Sequence, residues 1–471
     1  MTSPRPALVV GVLASCGLSV SVMQTLVIPL LPRYPQLLGA SPSTVAWLVT
    51  ANLVAGAVCA PMLGRLGDLY GKRRMLLVAL ALIVAGSLLG AASPGVETLI
   101  VARVLQGGAL GVVPLGISLM RDALPPERVG AAIALMSSSL GIGGAIGLPV
   151  TGLVAEHASW RWLFAGAAVL GLLQLLAVRR LVPEPATRAV GRFDVPGAIL
   201  LGLALVAILL PITKGNSWGW TSPGVLGLVA ASAVLFAVWG RLELRTRSPL
   251  VDLRVTARPA VLLTNIASIL IGFGMFASFL VTTQLLQAPL ATGYGFGLAL
   301  LPAALVLLPN GAAMVVFSNV SARISARFGA RTTLVTGALV IMAGNAGLAT
   351  LPGSIPGIIA VSLVVSIGTA LAYSALPLLI MDAVPPTETA AANSLNTLMR
   401  MIGTSSCSAV VAAVTTGLVT AVDGHLFASA DAYTVIYGAA AVAALTATVI
   451  AAATPRAGAV HVAPEPAAAT S

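Results

Sequence analysis

The sequence predicts an all-α polytopic membrane protein of fourteen transmembrane helices, arranged as two six-helix bundles with two helices inserted between them. Three observations predict it. Apolar runs of about 18 or more residues recur along the whole chain, each long enough to cross a hydrocarbon core of about 30 Å. The basic residues collect in alternate loops. The two halves also repeat one another in short motifs. With 58% of its 471 residues hydrophobic and 8% charged, and a mean hydropathy of +1.02, the chain has too little polar surface for a soluble bundle. A membrane barrel would alternate apolar and polar residues within each strand, and the continuous runs exclude it.

Pro, Gly and charge mark the loops, and place the spans at 7–31, 44–64, 75–94, 98–120, 129–155, 160–181, 195–212, 223–243, 260–286, 296–319, 332–350, 355–381, 389–420 and 433–453. The first follows Arg5; Leu13-Ala14-Ser15-Cys16 resembles a lipoprotein cleavage site, but the apolar run continues to Leu31, which predicts an uncleaved helix. Arg65, Lys72, Arg73 and Arg74 separate the second and third spans, and Arg121 and Arg128 the fourth and fifth. Arg179, Arg180, Arg188 and Arg192 follow the sixth; Arg241, Arg245, Arg247, Arg254 and Arg258 follow the eighth; Arg323, Arg327 and Arg331 follow the tenth. With Arg5 and Arg456 at the ends, these are all but five of the 25 basic residues. Arg33, Arg161 and Lys214 fall to the other side, and Arg103 and Arg400 within helices. A miscounted helix would destroy this asymmetry, so both ends are expected in the cytoplasm of a cell whose inner membrane the chain crosses. The expected divisions are a cytoplasmic N-terminus (1–6), a first six-helix bundle (7–181), a two-helix central insert (195–243), a second six-helix bundle (260–453) and an Ala/Pro-rich disordered cytoplasmic tail (454–471).

The net charge of +11 is scattered through short loops and forms no basic face, which argues against nucleic acid. Cys16, Cys59 and Cys407 each stand alone in an apolar segment, with neither disulfide nor metal spacing. The repeat is more informative. Asp122-Ala123-Leu124-Pro125-Pro126-Glu127 matches Asp382-Ala383-Val384-Pro385-Pro386-Thr387, and Arg65-Leu66, Tyr70-Gly71 and Arg73 match Arg323-Ile324, Phe328-Gly329 and Arg331. Two repeated membrane bundles suggest a transporter that rocks about a site at the midplane between them. Repetition alone leaves a channel or a membrane enzyme open.

Gly64-Arg65-Leu66-Gly67-Asp68-Leu69-Tyr70-Gly71-Lys72-Arg73-Arg74 resembles the signature loop between helices 2 and 3 of the major facilitator superfamily. Its glycines permit a tight turn, and Asp68 can meet a helix N-terminus or a cation. The resemblance implies a latch that joins the two bundles: Gly64, Asp68, Gly71, Arg73 and Arg74, with Asp68 at the start of helix 13 and Arg73 or Arg74 paired with Asp122 or Glu127. Leu99 to Gly108 is similar to that family's helix-4 motif, which implies a role in proton coupling for Arg103, Gln106 and Gly107. Helix 5, with Gly141, Gly143, Gly144, Gly147, Pro149 and Gly152, resembles the antiporter motif of drug exporters, although Leu148 separates Gly147 from Pro149. Small residues there let helices pack closely and slide. Fourteen spans, Trp47 and the Ser159-Trp160-Arg161-Trp162 step resemble the fourteen-helix drug:proton antiporter branch, over residues 7–453.

One departure bears on function. The acid that this branch carries in helix 1 is Met23 here, in Val22-Met23-Gln24-Thr25, and no Asp or Glu lies deep in any predicted span. Glu156, Glu243 and Asp382 sit near ends, and no histidine is deep either. The two deep charges, Arg103 and Arg400, are both positive. A central arginine costs about 2.5–3.5 kcal/mol on insertion scales, so neither should face lipid. Each is either a polar clamp on backbone carbonyls and amide side chains or a wall of a water-filled cavity. Arg103 is read as a cavity wall; Arg400 suits the clamp and is also a candidate for the substrate cavity. Gln24, Asn52, Gln106, Asn265, Gln284, Asn310, Tyr373 and Asn396 are the other candidates to line the cavity, each also suited to an interhelical hydrogen bond. With aromatic residues at 5%, a cation cage is not expected, and a hydrophobic, neutral or anionic compound fits better than a multivalent cation.

The expected function is therefore secondary active export of hydrophobic drugs or secondary metabolites by proton antiport. The alternative is a narrow-specificity carrier of an organic anion or other metabolite on the same fold. Membrane enzyme and sensor are remote: no carboxylate cluster, metal site or phosphate loop is present, and no loop exceeds roughly twenty residues. The expected partners are a small hydrophobic substrate, protons and the lipid bilayer, with no nucleic acid, no cofactor and a monomeric state.

Overall fold

The computed structural model of the protein describes residues 6–31, 33–186, 188–422 and 425–455. It contains fourteen helices long and apolar enough to span a bilayer: α1 (Pro6–Thr25), α2 (Ser43–Tyr70), α3 (Lys72–Ala91), α4 (Val96–Ala123), α5 (Pro126–Val154), α6 (Arg161–Leu181), α7 (Val195–Trp218), α8 (Pro223–Arg245), α9 (Pro259–Gln287), α10 (Leu300–Phe328), α11 (Ala330–Ala349), α12 (Ile355–Ala383), α13 (Pro386–Gly417) and α14 (Ala430–Ala453). Of the expected tail, residues 456–471 lie outside the described residues, as do residues 1–5 and the Glu156 side chain.

Four boundaries differ from the sequence expectation in ways that matter. α1 stops at Thr25, not at 31, and Ile28–Leu30 form a separate 3-10 turn. Pro29 has no N–H with which to continue an α-helical ladder. α2 continues to Tyr70 and α3 begins at Lys72, so the segment 64–74, expected to be a loop, is helical except at Gly71. Gly71 takes φ +119°, a backbone conformation that only glycine adopts freely, and this turns the chain in a single residue. α10 is shifted to Leu300–Phe328 from the expected 296–319. Between α13 and α14 lies an unexpected hairpin, β1 (Val419–Val422) against β2 (His425–Ala428), antiparallel with Val419 opposite Ala428. Its first strand reads in sequence as a continuation of the apolar helix.

Two large cores organise the helices. One gathers residues of α1 to α6, such as Leu13, Leu76, Ile83, Leu115, Met136 and Phe164. The other gathers α9 to α14, through Ile271, Leu307, Ile341, Ala372 and Tyr437. A third, smaller cluster places Leu201 and Leu205 of α7 and Trp239 of α8 against Ala57 of α2 and Leu398 of α13. The inserted pair thus covers the seam where α2 and α13 meet, and the Ser232 hydroxyl ties α8 to the Ala204 carbonyl of α7.

Both seams between the cores depend on missing side chains. At the α2–α13 seam, a Cβ on Gly64 would collide with the Ser394 hydroxyl and lie 2.7 Å from the Ala390 carbonyl. At the α5–α10 seam, a Cβ on Gly311 would lie 2.6 Å from that of Ala145. Within the second bundle, Gly403 of α13 lies against the Ile269 carbonyl of α9 with no room for a methyl group. Such contact replaces the hydrophobic drive that lipid cannot supply between helices. Gly403→Ala is therefore expected to lower the thermal stability of the purified protein by about 1–3 kcal/mol, the usual cost of overpacking. Gly11→Ala, where no atom lies within 4 Å, serves as the control and should leave the melting curve in place.

Candidate functional site

The seam between α2 and α13 closes one end of the molecule through Asp68. Its side chain is buried, and its two carboxylate oxygens accept hydrogen bonds from the backbone N–H groups of Ala390 (3.2 Å) and Ala391 (2.8 Å). The first N–H groups of a helix have no partner within it. Asp68 therefore acts as an N-cap delivered from the other bundle, where the helix dipole also favours a negative charge. Substitutions of ordinary N-caps cost about 0.5–2 kcal/mol. Lys72 completes the cluster. Its ammonium lies 2.7 Å from Asp122 and 3.8 Å from Asp68, and it donates to the Thr389 hydroxyl at 3.1 Å.

This corrects the expected pairing. Lys72, not Arg73 or Arg74, holds Asp122, and Glu127 is exposed at the start of α5. The Arg73 and Arg74 backbone N–H groups donate to Glu184 at 3.2 and 3.1 Å. The Arg73 guanidinium donates to the carbonyls of Val178 and Arg179 at the end of α6. The reason is the turn at Gly71, which makes Lys72 the first residue of α3 and buries it beside Asp68 and Asp122, while the Arg73 guanidinium reaches the end of α6 and Arg74 is exposed. Reading the segment as a loop hid that geometry.

Arg103 is also corrected. It does not line the central cavity; it is 2% exposed and clamped. Its guanidinium donates to the carbonyls of Met23 (3.1 Å) and Leu48 (3.0 Å) and to the side-chain oxygen of Gln106 (2.8 Å). Gln106 in turn donates to Ser87 at 2.9 Å. α1 ends at Thr25, and the last carbonyls of a helix lack the full set of intrahelical donors. The Val22 carbonyl accepts from the Leu26 N–H and the Thr25 hydroxyl, and the Met23 carbonyl accepts from Arg103. A helix C-terminus carries roughly half an elementary negative charge. That partial charge answers the guanidinium at the residue where the fourteen-helix branch places an acid. Gly107, one turn on, lets α4 lie against the Asn52 carbonyl of α2. Lys214, expected in a loop, lies in α7, 5% exposed, with its ammonium 4.9 Å from the centre of the Trp47 ring.

The central cavity, about 280 Å³, lies between the two cores. Gln24, Asn310, Tyr373 and Arg400 are there as expected. Asn52, Gln106, Asn265, Gln284 and Asn396 are not, and for Gln106, Asn265 and Asn396 the cause is local pairing. Asn396 donates to Asn265 (2.9 Å) and Ser268 (2.7 Å), which clasps α13 to α9. Asn52 is buried beneath Gly107, and Gln284 is half-buried outside the lining. Of the helix-5 glycines, Gly144 lines the cavity, Gly143 and Gly147 pack against Ser21 and Thr25 of α1, and Gly152 meets Leu301 of α10. Pro149 lies inside α5, where it removes a backbone donor. The apolar wall of Leu53, Met275, Phe276, Phe279, Leu307 and Met314 was not singled out from the sequence, although the face recurs at helical spacing in α9. Hydroxyls of Ser21, Thr25, Thr282, Ser362 and Thr404 dot the wall. Thr25, Thr282 and Ala304 lie toward the ends of α1, α9 and α10 that are remote from the Asp68 seam.

Arg400 is the charged residue among the described lining residues. Its guanidinium carbon lies 4.7 Å from the centre of the Tyr373 ring, and its one hydrogen bond among the described residues is to the Thr397 hydroxyl, long at 3.4 Å. A cation–π contact is worth about 0.5–2 kcal/mol, less than the insertion cost of a central arginine, about 2.5–3.5 kcal/mol. The two arginines therefore predict opposite responses to the same change. Arg103→Met strands two carbonyls and an amide and should lower unfolding stability by about 1–3 kcal/mol. Arg400→Met should leave the unfolding temperature in the same detergent unchanged or higher; the reverse ranking would contradict the clamp.

Comparison with known proteins places this architecture. Residues 13–408 match the family model of the Major Facilitator Superfamily. The chain is 31% identical over 323 residues to the tetracenomycin C resistance and export protein of Streptomyces glaucescens, covering 68% of this chain and 59% of that protein. It is 32% identical over 335 residues to the puromycin resistance protein pur8 of Streptomyces alboniger, covering 69% and 64%. The multidrug resistance protein Stp of Mycobacterium tuberculosis is 27% identical over 419 residues, covering 87% and 76%. The chain thus spans about three fifths of the length of the first two relatives. The fold is shared with the human organic anion transporter MFSD10 (TM-score 0.67, 16% identity, covering 95% of this chain and 100% of that one). It is shared equally with the proton:xylose symporter XylE (TM-score 0.65, 14% identity, 96% of each). With fourteen helices among the described residues fit to cross a bilayer, the chain belongs to the major facilitator superfamily and is a multi-pass membrane protein of that fold.

Proposed function

We propose that the protein exports small hydrophobic compounds, drugs or secondary metabolites, in exchange for protons, by alternating access. The observation that carries this reading is the apolar-walled cavity between the two bundles, held shut at one end by a single inter-bundle N-cap and its lysine partner. A closure worth a few kcal/mol keeps two conformations within reach of one another, which an alternating carrier needs. The named activities of the relatives, tetracenomycin C export and puromycin and multidrug resistance, support the choice of cargo. By the distribution of basic loops, the Asp68 end faces the cytoplasm of the cell membrane, so the state described here opens outward. No acid lines the cavity among the described residues. Asp68 is buried at the closure, where its neutralisation would weaken the N-cap and its pairing with Lys72. The transporter acts as a monomer in this reading, because both seams that frame the cavity lie within one chain.

Everted membrane vesicles containing the protein provide the test. Uptake of a dye or antibiotic substrate should follow an imposed inside-acid pH gradient, stop on addition of a protonophore, and fall at least tenfold in Asp68→Asn. Uptake that persists after the gradient is collapsed and requires ATP would remove the antiport reading.

A further inference from the structure

Three of the buried cations differ in how their charge is met. Lys72 has two carboxylates, Asp68 and Asp122. Arg103 has two carbonyls, one of them at the C-terminus of α1, and an amide oxygen. Arg400 is 8% exposed, equally deep in the fold, and has neither. No carboxylate or carbonyl lies within bonding distance of its guanidinium among the described residues, and its one hydroxyl partner, Thr397, is at the long limit of a hydrogen bond. The side chain is nevertheless fixed. Tyr373, 4% exposed, presents its ring to the guanidinium, and Gly272 of α9 lies against the Arg400 carbonyl and within 3.2 Å, at its missing Cβ, of the Arg400 stem. A guanidinium held through a ring face spends no N–H on its holder. The donors that remain can grip a planar anion in two parallel bonds.

We infer that Arg400 is the recognition site for an acidic group on the cargo, and that the substrate class is an amphipathic small molecule bearing one carboxylate. This deepens the export reading above and rests on it for the direction of movement. The cavity fits such a molecule on both counts. One fixed positive charge meets the acidic group, and Phe276, Phe279, Leu307 and Met314 receive the apolar body. No lining Asp or Glu competes for the guanidinium among the described residues, and none is present to attract a cationic drug. Export of such an anion is also favoured by an inside-negative membrane potential, whatever number of protons returns.

The charge preference can be read before any natural cargo is known. Cys16, Cys59 and Cys407 are replaced by alanine, and Thr404→Cys places a thiol in the cavity wall one turn from Arg400. Purified protein is labelled with the anionic sulfonatoethyl and the cationic trimethylammonioethyl methanethiosulfonates. The ratio of the two rates is expected to fall about tenfold in Arg400→Gln, as local focusing of charge predicts, and to be largely kept in Arg400→Lys. A thiol at exposed Tyr70, in Tyr70→Cys, should show no change. An unaltered ratio at Thr404→Cys overturns the inference. If Arg400→Gln does not fold, protection of the same thiol in the arginine-bearing protein decides: 2-naphthoate should protect at concentrations at least tenfold below its methyl ester, and equal protection, or none, counts against an anion site. Neither readout needs a gradient. A charge preference without gradient-driven flux in vesicles would therefore sink the export reading and leave the anion site standing.

Discussion

A charge inside a bundle of apolar helices has to be met by something, and this chain has very few acids to meet it with. The structure uses helix ends. The Asp68 carboxylate finds the free N–H groups at the start of α13, and Arg103 finds a carbonyl freed by the early end of α1. Partial charges on orphan backbone groups are fixed in place and add no titrating residue. They answer a buried ion without the second desolvation cost that a full counter-ion would bring. Arg400 stands outside this scheme, and for that reason it is the residue at which a ligand's charge has most to gain.

The same helix ends decide what can move. Arg103 joins α1, α2 and α4, all within one bundle, and so makes that bundle rigid. Asp68 reaches across to the other bundle and is set in a seam where glycines keep the backbones close. The hydrogen bonds between the bundles include those of Asp68 and Lys72 to the start of α13 and that of the Ser137 hydroxyl of α5 to the Tyr373 carbonyl of α12. The glycine contacts of α5 with α1 and α10 offer smooth surfaces along the other seam. The inserted α7 and α8 lie over the α2–α13 seam and bridge it with an apolar cluster, beside which Lys214 of α7 meets the Trp47 ring of α2.

Much of this could be read from the sequence, because it rests on length and periodicity. The fourteen spans follow from apolar runs that only a bilayer accommodates, and the charge of the loops fixed their count. What could not be read was where each helix stops. Extending α1 to residue 31 hid the free carbonyl of Met23, so Arg103 looked unpaired and was assigned to the cavity. The single-residue turn at Gly71, which starts α3 at Lys72 and sets that residue rather than Arg73 against Asp122, has no signal in the run of basic residues. Arg400 is left to the cavity because the amides that could clamp it are occupied: Asn265 and Asn396 are spent on each other. Polar residues in such bundles are exchangeable in sequence, and only their three-dimensional pairing separates clasp from wall.

The central claim is that an inter-bundle helix cap holds one end of the cavity shut. Spin labels at Tyr70→Cys on the first bundle and Phe328→Cys on the second, both exposed at that end, would report the separation directly in reconstituted protein. The account predicts a dominant short distance in the parent protein and a shift of the population to a longer distance in Asp68→Asn. An unchanged distribution in that variant would contradict it.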